Sequence, residues 1–296
     1  MHNTYKLMTD PEPTPLEAMK TDGYAMFDRV LPDRLWFERT YRLFDEFVDG
    51  LTEESIEDLR AAAFAWLAVG DNDSYYCGVP SSFRDRKGLS GKRDKAYLQW
   101  CLEFARSPQF AATTAAQSPA MRELGERLEE LESVCSRLYM DVLREIGAEH
   151  PEYLALHAED RPLPIIIKMI RYNNSPGQFA TDPHFDKSAL SLILNADDHE
   201  VRWRVGRGRN CPLSSMFTPM EYPASAEEPN SCVMIPGLCL EQAGVGLPPT
   251  PHFVMPVETG DHRHSIVAFL LVPHLQGTDG LDTQAPFVHD ILTNIV

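Results

Sequence analysis

The strongest constraint on the fold lies in the second half of the chain. After Pro162 the sequence breaks into short β-branched or alternating runs: Ile165–Tyr172, Ala189–Ala196, Val201–Val205, Val233–Leu240, His252–Val257 and Ser265–Val272. Pro, Gly, Asn and Asp separate them, as turns require. So many short strands in about 110 residues predict an antiparallel sandwich or barrel rather than a parallel α/β sheet. The first half carries a different period. Gly23–Val30 reads as a short strand. A helix is expected from Leu31-Pro32-Asp33, with Leu35, Tyr41, Phe44 and Phe47 at roughly helical spacing. A second is expected over Thr52–Ala68, opened by Thr52 with acids in its first turn. Residues 71–93 read as a long loop, and a helix is expected near Lys95–Arg106. The longest helix should span Pro119–Ile146, where Leu124, Leu128, Leu131, Cys135, Leu138 and Val142 hold one stripe. The expected class is mixed α+β: a mainly helical part over residues 1–160, contributing to a substrate pocket, and a β core over 161–296, forming one integrated catalytic unit.

Composition excludes several function classes. The net charge of −17 disfavours nucleic acid and anionic lipid as partners. No apolar run is long enough to span a membrane, and the N-terminus lacks the apolar core of a signal peptide. The six cysteines form no Cys-x-x-Cys pair, so neither a disulfide framework nor a thiolate metal site is expected. Scattered thiols point to a cytoplasmic protein. A monomer or homodimer is expected.

Chemistry enters at Thr181-Asp182-Pro183-His184-Phe185-Asp186, just ahead of a predicted strand. In extended chain, residues two apart share a face, so His184 and Asp186 can reach one metal ion. A turn with a local hydrogen bond would look the same. The lone His252, opening a later strand after Pro248-Pro249-Thr250-Pro251, supplies a third ligand. His262 and His264 lie close by, but His264 should point away from Arg263 and Ser265, and His262 sits in the turn at Asp261. Two histidines and a carboxylate leave part of an octahedral iron open, as oxygen chemistry needs; zinc would accept the same set. Arg263 and Ser265 share one strand face and make a receptor for a carboxylate, unless they are an ordinary outward pair. Strands about 5 Å apart in a sheet, or about 10 Å across a core, leave room for a five-carbon diacid between metal and arginine. That diacid is 2-oxoglutarate.

The order His184-x-Asp186, His252, then Arg263-x-Ser265 resembles the 2-oxoglutarate and iron(II)-dependent oxygenases. Within them it is most similar to the isopenicillin N synthase-like branch. The branch's Asn-Tyr-Tyr-Pro segment is kept only at Tyr172 and Pro176; its Leu-Thr-Leu-Leu strand resembles Leu190-Ser191-Leu192-Ile193-Leu194, and its Gly-x-x-Leu turn Gly237-Leu238-Cys239-Leu240. The resemblance covers about residues 165–275. It implies a double-stranded β-helix (jelly-roll) core with N-terminal helices packed outside. It implies Fe(II) on His184, Asp186 and His252, and 2-oxoglutarate as cosubstrate on Arg263 and Ser265, assisted by Tyr172. It implies O2-driven decarboxylation to succinate coupled to oxidation of a small-molecule substrate, by default C–H hydroxylation. Because Asp186 is retained, halogenation is not the expected outcome. Two further features stay open. Arg202, Arg204, Arg207 and Arg209 read as a solvated strand edge or an anion-recognising stripe, and Tyr75-Tyr76-Cys77-Gly78 through Arg93 as a plain connection or a pocket wall. His199 reads as part of a hairpin tip.

Overall fold

The computed structural model describes residues 13–67, 84–88, 91–155, 162–173, 181–196, 203–205, 218–219, 231–254 and 262–271. In chain order the elements are α1 (Pro15–Asp22), β1 (Ala25–Phe27), α2 (Arg34–Asp49), α3 (Glu53–Leu67), β2 (Arg84–Gly88), β3 (Gly91–Trp100), α4 (Leu102–Ala105), α5 (Pro108–Ala111), α6 (Pro119–Glu149), α7 (Pro151–Leu154), β4 (Ile165–Asn173), β5 (Thr181–His184), β6 (Leu190–Ala196), β7 (Trp203–Val205), β8 (Thr218–Pro219), β9 (Cys232–Pro236), α8 (Leu238–Gln242), β10 (His252–Val254) and β11 (His262–Leu270).

The helices start where their caps dictate. The Asp33 carboxylate accepts the Trp36 N–H at the start of α2, and the Thr52 hydroxyl accepts the Ser55 N–H at the start of α3. Ser118 caps α6, followed by Pro119 in the first turn. All six expected stripe residues of α6 are buried. One member of the α2 stripe is not: Leu35 is 72% exposed, and Phe37 one turn back from Tyr41 takes its place.

The strands form two antiparallel sheets. The larger has the order β1-β9-β6-β11-β4-β3-β2, and the smaller the order β5-β10-β7-β8. The central strands interleave with strands distant in sequence: β11 lies between β4 and β6, and β10 between β5 and β7. This is a double-stranded β-helix, and the class is mixed α+β as expected. Three strands from the first half, β1, β2 and β3, extend the larger sheet.

Both faces of the larger sheet are covered. One core packs Ile165, Ile167 and Met169 of β4 and Ile266, Ala268 and Leu270 of β11 against α2 and α6. A second, smaller cluster fills the space between the sheets with Ile170 and Tyr172 of β4, Ile193, Val205, Val233, Ile235 and Val254. The Tyr139 hydroxyl on α6 donates to the Ala268 carbonyl at 2.8 Å, fixing the long helix across the sheet.

Four expectations need correction. The segment expected as a helix near Lys95–Arg106 is mostly strand β3, with only Leu102–Ala105 helical. Ala96, Leu98 and Trp100 are buried while Tyr97 and Gln99 are half-buried, a period of two rather than 3.6. Part of the expected 71–93 loop is strand, since β2 and the start of β3 form a hairpin closing at Gly88 and Gly91. The run Val233–Leu240 ends as strand at Pro236 and turns into α8. His262 belongs to β11, paired with Asn173, rather than to a turn. Residues 68–83, the His199 tip, Val201, Arg202, Arg207, Arg209 and Asp261 lie outside the described residues, as do the ends of the runs reaching Val257 and Val272.

Candidate metal and cosubstrate site

His184 closes β5, and His252 opens β10 directly opposite it in the antiparallel pair. Their rings lie 4.2 Å apart, centroid to centroid. Asp186 lies two residues beyond β5, in the connection to β6 rather than in a strand. Its carboxylate still reaches both imidazoles: Oδ1 is 3.4 Å from His184 Nε2, and Oδ2 is 3.7 Å from His252 Nε2. The donor atoms of the three residues all lie within 4.8 Å of one another. Among the described residues this is the one group of histidine, cysteine and acidic side chains so arranged.

The connection carrying Asp186 is held by backbone. Leu238 N–H donates to the Asp186 carbonyl at 2.8 Å, Gly237 N–H to Ala189 at 2.8 Å, and Cys239 N–H to Ser188 at 3.2 Å. Gly237 is required for this approach, because a Cβ there would lie 2.1 Å from the Ser188 carbonyl oxygen. The Ser191 hydroxyl bonds the Asp186 carboxyl and pairs with Ser188 Oγ at 2.7 Å. His252 is held from the other side. Its Nδ1 lies 3.2 Å from the Thr250 carbonyl, a contact that as Nδ1–H donation leaves the Nε2 lone pair facing Asp186. Thr250 is itself pinned, its N–H to Pro236 at 3.0 Å and its hydroxyl to the Gly23 carbonyl. Gly23 ends α1 with a positive φ of 85°. The lead into His252 is thus braced at Thr250.

The electrostatics suit a metal cation. Burial alone would push the Asp186 carboxyl up, but His252, His184 and Ser191 outweigh it and hold the group well below the usual carboxylate range. Burial, with His184 adding, pushes the His252 imidazole down to about 4. At neutral pH the cluster therefore offers an anionic carboxylate and a neutral His252 imidazole, the states that bind metal. Asp186 Oδ2 is buried with no hydrogen-bond partner, an atom that a cation would satisfy. The donor set fits a divalent transition metal with open coordination positions.

The second expected constellation also assembles. Arg263 pairs in register with Tyr172 across β11 and β4, and Ser265 with Ile170. Arg263, Ser265 and Tyr172 are buried at 3%, 5% and 6% exposure. Because His264 and Ile266 contact the helix side, Arg263 and Ser265 take the other face, between the sheets. The Arg263 guanidinium lies 5.2 Å from the Tyr172 ring centroid. His264 points away from this face, as expected, to Asp45 of α2. Sequence reasoning missed Ser191 and Thr250 as supports. The Leu190–Leu194 run contained the signal for Ser191, a hydroxyl alternating among leucines.

No family model and no curated protein matches this sequence. Solved structures do match in fold. A putative 2OG-Fe(II) oxygenase family protein from Caulobacter crescentus superposes with a TM-score of 0.56 at 16% identity, covering 94% of this chain and 92% of that one. Dioxygenase for auxin oxidation 1 from Arabidopsis thaliana, bound to 2-oxoglutarate, gives 0.58 at 15% identity, covering 92% and 89%. JOX2 in complex with 2OG, Fe and JA gives 0.54 at 14% identity, covering 88% and 70%. The chain has the fold of the 2-oxoglutarate–iron(II) oxygenases.

Proposed function

We propose that this protein is an iron(II)- and 2-oxoglutarate-dependent oxygenase acting on a small molecule, with C–H hydroxylation as its default reaction. The observation that carries the reading is the convergence of His184, Asp186 and His252 on one point at the edge of the inter-sheet space. The motif order supports placement in the isopenicillin N synthase-like branch. The structural neighbours support a small-molecule substrate, since one is a dioxygenase for auxin oxidation and another is bound to JA. The buried free thiols Cys101, Cys135, Cys232 and Cys239 support a cytoplasmic setting.

In this reading His184 Nε2, Asp186 and His252 Nε2 would hold the iron. When bound, iron(II) supplies O2 activation coupled to decarboxylation of 2-oxoglutarate to succinate and carbon dioxide. The protein's own residues do the rest. Arg263 receives the distal carboxylate of the cosubstrate in a charge-assisted bond, and Ser265 donates its hydroxyl to the same group. Tyr172 flanks the guanidinium. Ile170, Ile193, Val233 and Val254 line the inter-sheet space and exclude water, which strengthens each of these electrostatic contacts. Ser191 and the Thr250 carbonyl keep Asp186 and His252 aimed.

The test is turnover of 2-oxoglutarate. Protein loaded with iron(II) should release succinate, and Arg263→Leu should weaken 2-oxoglutarate binding by about 2–5 kcal/mol while leaving iron(II) affinity intact. Equal loss of both affinities would make Arg263 a structural residue. Product formation in 2-oxoglutarate-free buffer would overturn the cosubstrate assignment.

A further inference from the structure

Directly behind the Arg263–Tyr172 pair lies a polar cluster that the proposed reaction does not use. It occupies the opposite face of the same two strands, next to the apolar described residues Ala96, Met169 and Ile266. His264 pairs in register with Arg171, one residue from the Arg263–Tyr172 pair on each strand. The Arg171 guanidinium reaches two carboxylates of α2, Asp45 at 3.1 Å and Asp49 at 2.9 Å. His264 Nε2 meets the same Asp45 oxygen at 2.9 Å, and its ring stacks on Tyr41 of α2 with centroids 4.9 Å apart. The helix is a firm anchor. Arg39 of α2 pairs with Glu123 of α6 at 2.7 Å, and Arg127 of α6 lies over the Trp36 ring.

We infer that Asp45 and His264 are positioning residues for the cosubstrate subsite, clamping the ends of β4 and β11 to α2 so that Arg263 and Tyr172 present a fixed carboxylate receptor. This rests on the function proposed above. Among the described residues, the register pair Arg263↔Tyr172 stands next to the outermost pair, His262↔Asn173. An arginine that must meet a carboxylate in fixed geometry needs its backbone held. In a strand pair the outward neighbours are the points from which the inward pair can be held. A partly buried ion cluster contributes little net stability, because desolvation offsets its attraction, so fixing geometry is the better account of its place beside an apolar core. The cluster holds two carboxylates, Asp45 and Asp49, against Arg171 and the His264 ring. Burial would raise the Asp45 carboxyl, but His264 and Arg171 together hold it below its usual range.

The experiment measures 2-oxoglutarate and iron(II) affinities separately, by anaerobic calorimetry on the full chain. His264→Leu should weaken 2-oxoglutarate binding about tenfold, the scale of a lost outer partner, and leave iron(II) affinity unchanged. His264→Gln, which keeps an N–H at similar reach, should recover most of that loss. Backbone amides of 171–173 and 262–265 should exchange faster in His264→Leu and not in His264→Gln. If His264→Leu does not fold, Asp45→Asn carries the same comparison. Unchanged 2-oxoglutarate affinity in a folded variant, or parallel loss of both affinities, overturns the clamp. A wild-type protein that binds no 2-oxoglutarate overturns the proposed function instead, which keeps the two failures distinct.

Discussion

The two faces of the seven-stranded sheet come from alternate residues of the same strands, yet they obey different rules. Toward the helices, β6 presents Leu190, Leu192 and Leu194, and β11 presents Ile266, Ala268 and Leu270, all essentially without exposure. Toward the smaller sheet the same strands present Ser191 and Ile193, and Arg263 and Ser265. Apart from the Arg171–His264–Asp45 cluster at one end of β4 and β11, these helix-facing residues are close-packed hydrocarbon and hold the fold together. The inter-sheet side buries a guanidinium and hydroxyls, at a desolvation cost that hydrocarbon would not carry. A single-residue step along a strand therefore separates residues whose loss should unfold the protein from residues whose loss should silence it.

That contrast can be broken from either side. The largest expected effect is on the inter-sheet side. Asp186→Ala should lower iron(II) affinity and turnover by more than the roughly 10–100-fold cost of losing an outer partner, while the metal-free protein stays folded by circular dichroism. Retained activity would remove Asp186 from the ligand set. On the helix side, Leu192→Ala should cost about 2–5 kcal/mol in urea unfolding and leave the iron(II) affinity of the folded protein unchanged. If iron affinity falls as far as stability, the two faces are not separable.

A smaller effect sharpens the comparison. The helix side has one buried carboxyl out of place, Glu132 of α6, with only 6% exposure. Burial pushes it up from 4.5 to about 8, with Glu103 and Glu129 adding to the shift and Arg106 and the Leu102 N–H opposing it. A carboxyl raised on folding binds its proton more tightly in the folded state, so stability is greatest below the unfolded value and falls as pH rises from about 4.5 toward 8. Glu132→Gln should remove that decline, worth up to about 5 kcal/mol across the window at roughly 1.4 kcal/mol per pH unit. Urea unfolding of both proteins at the two ends of the window checks this. Parallel pH profiles would mean that Glu132 is solvated.

Much of this contrast was legible in the sequence, because it is carried by local period. The α2 and α6 helices follow from their apolar stripes, and α3 from its Thr52 start with acids in the first turn. His184, Asp186 and His252 gather within 4.8 Å, as their order suggests, and Arg263 and Ser265 share one face of β11. β3 was obscured because the charged stretch Lys92–Lys95 resembles a loop, and the strand runs almost directly into the short α4. β5 was obscured by Pro183, which an edge strand tolerates and an interior strand does not. The supports were hidden for another reason. The Asp45–His264 contact and the pinning of Thr250 by Gly23 and Pro236 act through tertiary geometry that no spacing along the chain encodes, and Ser191 shows only as a hydroxyl among leucines. His264 carried half a signal, since a polar ring facing a hydrophobic core requires a partner.

The central claim is that the inter-sheet side binds iron(II) and 2-oxoglutarate together, one through His184, Asp186 and His252 and the other reaching Arg263. Anaerobic titration of the iron(II)-loaded protein with 2-oxoglutarate, followed by visible absorption, tests it most directly. Bidentate chelation should produce a weak charge-transfer band that saturates with 2-oxoglutarate and is absent in Asp186→Ala. A folded, iron-loaded wild-type protein that shows no band at saturating 2-oxoglutarate would contradict the account.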